Sequence, residues 1–298
     1  MEEGPFPVNG WPGAPFPREA AGTNLWGGSR EVPDATCHPR RLLTHPDDPR
    51  ATPGLATEYA RHGAWLFRWR SYPPLVVLAY VVAATAFRPV PAGGEGWRVA
   101  WMVAGFALGL AGLVVRAWTV GHVPTGTSGR GTKELRAETL NTEGVYSVVR
   151  HPLYLGNYLL WIGVPVLAGR PVAVVITTLV FWLYYERIMM VEERFLFEGF
   201  GETYRAWAAR TPPFVPRLTG WVPSSRPFSI RFCLGRDYQA LYGFVAATTL
   251  VELTRSVASG DGGGLAPGWW AYFLTGTAVY AVLHVLKRTG ALEPRDQR

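Results

Sequence analysis

Arg150-His151-Pro152-Leu153-Tyr154 is a dense group of chemically able side chains, and it stands at the start of an apolar segment. Proline suits the first turn of a helix, where its missing N–H is not needed. The other N–H groups of such a turn lack helical partners and attract an anion, and Arg150 and His151 add donors beside them. A carboxylate or phosphate fits this place. So does a plainer use, in which Arg and His at a membrane boundary anchor lipid headgroups. A second group follows the next apolar segment and comprises Glu186, Arg187, Glu192 and Glu193. At helical spacing Glu186, Met189, Met190 and Glu193 fall near one face. Carboxylates beside a bilayer are costly unless hydrated, paired or used. These can grip sugar hydroxyls or an ammonium, or pair with Arg150 or Arg187. The turn between the two segments, Gly169-Arg170-Pro171, is short, so an antiparallel helix pair brings both polar ends to one side.

The elements that must position these groups are apolar. The 298-residue chain is 48% hydrophobic and 17% charged, against about 25% charged in ordinary soluble domains. Its mean hydropathy is +0.07, and 13 Trp, 13 Tyr and 14 Phe suit membrane interfaces. A membrane helix needs about 20 apolar residues, with a range near 17–25. Apolar runs at 74–87, 97–120, 153–168, 172–185, 238–251 and 269–286 predict an all-α, polytopic membrane helical bundle of about six transmembrane helices. Basic residues cluster in alternate loops: Arg68 and Arg70 before the first run, Arg130, Lys133 and Arg136 between the second and third, and Arg194, Arg205, Arg210, Arg217, Arg226 and Arg231 between the fourth and fifth. By the positive-inside rule both termini, and the two polar groups, are expected on the cytoplasmic side. The net charge of +7 suits nucleic acid or anionic lipid. Because it lies between apolar runs, the expected partner is the lipid bilayer and not nucleic acid.

Three domains are expected. Residues 1–58, rich in Pro and Gly, read as a flexible tail. Residues 59–237 form the core that carries the polar groups, and residues 238–298 a C-terminal transmembrane hairpin. Cys37, His38 and His45 make a partial zinc set without a fourth ligand, so no metal site is expected. The glycine-rich run at 126–133 has Thr132-Lys133 where a phosphate loop needs Lys-Thr, and no strand precedes it; it reads as a loop.

The ordered series of motifs resembles the isoprenylcysteine carboxyl methyltransferase and phospholipid methyltransferase superfamily of integral membrane enzymes. It consists of Gly144-Val145-Tyr146, then Arg150-His151-Pro152-Leu153-Tyr154-Leu155-Gly156, then Glu192-Glu193, then Phe200-Gly201 with Tyr204 and Trp207, and finally Arg210-Thr211-Pro212-Pro213-Phe214-Val215-Pro216. The resemblance covers about the middle third of the chain. It implies S-adenosylmethionine as cofactor, bound near the membrane by Glu138, Thr139, Leu140, Asn141, Tyr146, Arg150, His151, Pro152, Leu153, Tyr154, Glu192 and Glu193. It implies a lipophilic or membrane-associated acceptor, with a carboxylate, amine or thiol taking the methyl group. Arg187 would orient an anionic acceptor, or Glu186 attract an amine. Two departures stand out. The family's His-x-Leu-Val segment reads Glu138-Thr139-Leu140-Asn141 here, and the family's arginine four residues before the first glutamate is Ile188, with Arg187 one place earlier. One residue turns a helix by about 100°. Two other readings compete: an NADPH-dependent membrane enzyme like the sterol reductases, and a non-catalytic membrane scaffold. The scaffold leaves the Arg, His and Glu set without a purpose.

Overall fold

Prolines and glycines set the helix boundaries. In a computed structural model that describes residues 62–63, 65–87, 94–123, 139–260 and 264–292, the elements run α1 (Pro73–Phe87), α2 (Gly94–His122), a 3-10 turn (Val145–Ser147), α3 (Pro152–Leu167), α4 (Pro171–Arg210), a second 3-10 turn (Leu218–Gly220), α5 (Ile230–Ser259) and α6 (Pro267–Arg288). Proline is the first residue of α1, α3, α4 and α6, where its fixed φ is already helical. Gly169, at φ +66°, makes the turn from α3 to α4, and Gly260, in the left-handed conformation, ends α5. The tail at 1–58, the Cys37–His38–His45 set, the loop at 126–133 and Glu138 lie outside the described residues. The chain divides into two units, Met1–Thr36 and Cys37–Arg298, and everything described belongs to the second.

The protein is all-helical among the described residues, with no strand. Each of the six apolar runs falls on one helix. Among the described residues three helices, α2, α4 and α6, are long and apolar enough to cross a membrane. The helices α1 and α3 are shorter apolar ones, of 15 and 16 residues. The 30 residues of α5 include Arg231, Arg236, Asp237, Glu252 and Arg255.

Small residues let α2 and α3 approach closely. A Cβ on Gly105 would sit 2.5 Å from Leu167, one on Gly112 would sit 2.7 Å from the Gly156 carbonyl oxygen, and one on Gly163 would sit 2.9 Å from the Gly105 carbonyl oxygen. Close backbone contact of this kind holds helices together where lipid removes the hydrophobic drive. Against this pair, α1 and α5 bury Val77, Val81, Phe244, Ala247 and Val251 together with Leu160, Val164 and Leu167 of α3. Arg255 donates to the Leu167 carbonyl at 3.1 Å and pairs with Glu252. It thereby satisfies a carbonyl left open at the end of α3. At the other end Arg116 of α2 binds Asp237 of α5 at 3.0 Å through Nε and also donates to Asn157 of α3.

The helix α4 is broken at Gly201, whose φ of 52° and ψ of −124° are not helical. The break turns 202–210 back toward the start of α3. The following loop then lies on that start: the Arg150 and His151 amides donate to the Pro212 and Pro213 carbonyls at 2.9 and 3.1 Å, and the Arg217 amide donates to the Val148 carbonyl at 2.9 Å.

The close approach of α2 and α3 is testable. Gly112→Val is expected to cost about 1–3 kcal/mol through overpacking, read as a lower unfolding temperature in detergent. Gly96→Ala, on the same helix with nothing within 4 Å of the new Cβ, is the control expected to show no loss. Equal unfolding temperatures for Gly112→Val and the parent would contradict the close contact.

Candidate active site

The site is built at the start of α3 from two segments distant in sequence. His151, the residue before α3, is 6% exposed. Its Nε2 meets Glu193 Oε1 at 2.9 Å and its Nδ1 lies 3.6 Å from Glu192 Oε2. Arg150 reaches the other Glu193 oxygen at 3.2 Å. Tyr154 donates its hydroxyl to Glu192 Oε1, and its ring stacks on the His151 ring with centroids 5.6 Å apart. The anion at this helix start is therefore the protein's own glutamate pair, favoured there by the helix dipole. Of the two uses open to the glutamates in the sequence, ligand binding or pairing, the structure shows pairing with this mouth: the two groups bond directly.

The open space lies beside this cluster. A cavity of about 210 Å³ is lined by Thr139, Leu140, Asn141, Thr142, Glu143 and Tyr146, by Trp118 and His122 at the end of α2, and by Ser224, Ser225 and Arg226. That is smaller than the ~300–1,000 Å³ usual for ligand pockets. Residues 124–138, which join its Val123 and Thr139 edges in sequence, lie outside the described residues. Glu143 ties the two sides of the cavity by accepting from the Ser225 amide at 2.7 Å. Gly144 pairs with Val222, and Trp207 Nε1 donates to the Tyr146 carbonyl at 3.0 Å.

Electrostatics join the cavity to the cluster. Burial alone would hold His151 neutral, but its hydrogen bonds to Glu192 and Glu193, with their charges, outweigh it and raise its pKa above the ordinary value. Desolvation pushes the Tyr146 phenol well above its usual range; the nearby Glu192 charge adds to this and Arg236 opposes it. Tyr146 thus lines the cavity and feels the glutamate.

The sequence-selected residues separate into groups. Arg150, His151, Tyr154, Glu192 and Glu193 come together in one ionised cluster. Thr139, Leu140, Asn141 and Tyr146 line the cavity. Pro152 is buried and opens α3, and Leu153 is half-buried in its first turn. Glu186 is exposed, and Arg187 donates to the Leu183 carbonyl of its own helix. Ile188, at the family's arginine position, is fully buried among Phe67, Phe181, Tyr184, Tyr185 and Phe214. Sequence reasoning missed Trp118, His122, Ser224, Ser225 and Arg226 in the cavity wall. The polar run 223–226 before α5 was the signal for the last three.

Comparison with known proteins places the chain in a family. The phospholipid methyltransferase family model matches residues 100–203. A cobalt-zinc-cadmium resistance protein of Cupriavidus metallidurans is 35% identical over 144 residues, 48% of this chain and 62% of that protein. The protein-S-isoprenylcysteine O-methyltransferase of Schizosaccharomyces pombe is 31% identical over 87 residues, 29% of this chain and 37% of that protein. The protein-S-isoprenylcysteine O-methyltransferase B of Arabidopsis thaliana is 31% identical over 146 residues, 47% of this chain and 69% of that protein. The chain thus spans less than two thirds of the first two relatives, and no solved structure matches it. With the family model on its middle third and the Arabidopsis relative matched over more than two thirds of its length, the chain belongs to the isoprenylcysteine carboxyl methyltransferase and phospholipid methyltransferase superfamily.

Proposed function

We propose that this protein is an integral membrane methyltransferase that uses S-adenosylmethionine and methylates a lipophilic or membrane-associated acceptor at a carboxylate, amine or thiol. The observation that carries this reading is the closure of Arg150, His151 and Tyr154 on Glu192 and Glu193 beside a cavity lined by Thr139 to Asn141 and Tyr146. All six helices are read as crossing the bilayer, with both termini and the site on the cytoplasmic side. In the same reading residues 1–58 are a tail, 59–237 the catalytic core and 238–298 an added hairpin.

The residues fit an adenosylmethionine in kind. Hydroxyl and amide groups at Thr139, Asn141, Thr142, Ser224 and Ser225, with the Arg226 guanidinium, suit its polar and anionic ends, and Glu192, outside that lining but near enough for its charge to act on Tyr146, is proposed for its hydroxyls or its positive charge. What the bound donor supplies is a methyl group already activated by its sulfonium, so the protein's task is mainly positioning. Tyr154 and His151 hold Glu192 in place, and Arg150 with His151 holds Glu193. Phe214 of the loop after α4 packs on Tyr158, Phe181 and Trp182 and so fixes that loop against the α3–α4 pair. Arg187 and Glu186 are proposed as acceptor-side groups, Arg187 for an anion and Glu186 for an amine.

A titration separates these roles. Glu192→Gln is expected to weaken S-adenosylmethionine binding about tenfold or more, as loss of a charged hydrogen bond does, measured calorimetrically on detergent-solubilised protein. Arg187→Ala is expected to keep donor affinity and lose methyl transfer. Parent-like donor affinity in Glu192→Gln would refute the donor site.

The protonation of His151 is a further handle. Its folded pKa is raised, so the stability it contributes is fully present below the ordinary imidazole value of about 6.5 and is lost as pH rises through the folded value. The gap in unfolding temperature between the parent and His151→Gln is therefore expected to shrink on going from slightly acidic to alkaline buffer. A gap that widens with pH would contradict a protonated His151 between the glutamates.

A further inference from the structure

A second cavity, of about 550 Å³, lies between α1, α3 and α5, away from the one lined by Tyr146. Its walls are Leu75, Val77, Leu78 and Val81 of α1, Leu160, Trp161 and Val164 of α3, and Ala240, Gly243, Phe244 and Ala247 of α5. Its polar lining is confined to Arg70, Ser71, Arg116, Asn157 and Gln239. All five belong to the end of the bundle where α3 begins and His151 sits, because Asn157 is in the second turn of α3 and Arg70 and Ser71 precede α1. The deep end at Val81, Val164 and Ala247 reaches toward the middle of the helices. From Gln239 to Ala247 the rise is roughly 12 Å at ~1.5 Å per residue. Such a graded chamber, within the usual size range and with polar groups at one end, is the shape of a site for an amphiphile.

We propose that this chamber holds the hydrocarbon chain of the methyl acceptor, and that α5, which lies outside residues 100–203 shared with the family model, sets which chain fits. The inference rests on the methyltransferase reading above and adds where the acceptor's apolar part sits and what selects it. Three observations support it. First, the polar end lies one aromatic layer from the glutamates: Asn157 Nδ2 donates to the Tyr185 hydroxyl at 3.2 Å, the Tyr185 ring packs on Tyr154 at 4.8 Å, and Tyr154 donates to Glu192. An acceptor whose chain fills the chamber therefore carries its head toward the donor side. Second, Arg70, Asn157 and Gln239 make that end polar, with the Arg116 charge already matched by Asp237, which suits a polar head on the acceptor. Third, the chamber opens on its flank, where Leu75 is 60% exposed, Gly243 is also exposed, and a Cβ on Gly243 would meet nothing within 4 Å. In a membrane-embedded bundle that flank faces lipid, so a chain slides in from the bilayer without passing through water.

The structure also shows what keeps the chamber from collapsing. The Arg116–Asp237 pair and the Arg116–Asn157 bond tie α5 to α2 and α3 at the polar end. Phe244 packs its ring on Phe106, with centroids 6.2 Å apart, and fills the space left by Gly109. Gly243 lines the chamber, and a Cβ added there meets nothing within 4 Å, so it is the position at which to add a side chain.

The test uses the full chain in lipid nanodiscs and a hexadecanoic acid bearing a terminal diazirine, with labelled peptides identified by mass spectrometry. In the parent, labelling is expected on the chamber walls, residues 74–81 and 239–247, above that on the exposed face of α6 at Leu274 and Val282. Gly243→Leu, in which leucine is also the better helix former, is expected to lower chamber labelling about tenfold and to leave α6 labelling and S-adenosylmethionine affinity unchanged. Chamber labelling that persists in Gly243→Leu, or that never exceeds the α6 face, overturns the chamber proposal whatever the donor result. Absence of adenosylmethionine binding in both proteins, read in the separate titration, sinks the donor reading and with it the assignment of the occupant as a methyl acceptor.

Discussion

A histidine held between two glutamates is the constraint on which this structure turns. His151 and Arg150 lie at the head of α3, and Glu192 and Glu193 lie far down α4, beyond the apolar hairpin. Leaving any of these charges buried and unpaired would cost several kcal/mol. Pairing them requires α4 to run back along α3 for its full apolar length and then continue past the start of α3. The rest of the core follows from that demand. Gly201 breaks α4 once the glutamates are in place, and the Pro212–Pro213 stretch folds over the Arg150 and His151 amides, so the cluster is roofed by backbone.

Much of this was legible because a short turn leaves little choice. Ala168, Gly169 and Arg170 are all that separate α3 from α4, and two helices so joined must lie antiparallel, so the Arg-His and Glu-Glu groups had to share a side. Pro152 marked the start of α3 for the same local reason. What the residues alone did not reveal is that the glutamates already satisfy the mouth. Pairing and ligand binding call for the same residue types, and only geometry separates them. The far wall of the cavity was illegible too. Trp118 and His122 end an apolar helix that reads as lipid-facing, and Ser224 to Arg226 reach the site only through the path of the loop after α4.

Helix length was the other limit. Apolar runs show where helices are; they do not show that α1 and α3 stop at 15 and 16 residues while α4 extends to 40. The helix α5 carries charged residues inside an apolar bundle. Asp237 is buried against Arg116, and Arg255 caps the end of α3, so both are explained by partners distant in sequence. The Glu252 carboxylate, beside Arg255, also lies 3.6 Å from Arg98 of α2.

The account joins a glutamate-anchored donor site to an apolar chamber in one membrane bundle, and its central claim is methyl transfer. The most direct measurement is incubation of the purified protein with methyl-labelled S-adenosylmethionine and a membrane-lipid extract, followed by chromatography and identification of the labelled product. The account predicts label in an organic-soluble, single-product fraction that disappears with Glu192→Gln. Label that stays with the donor in the presence of the extract would contradict it.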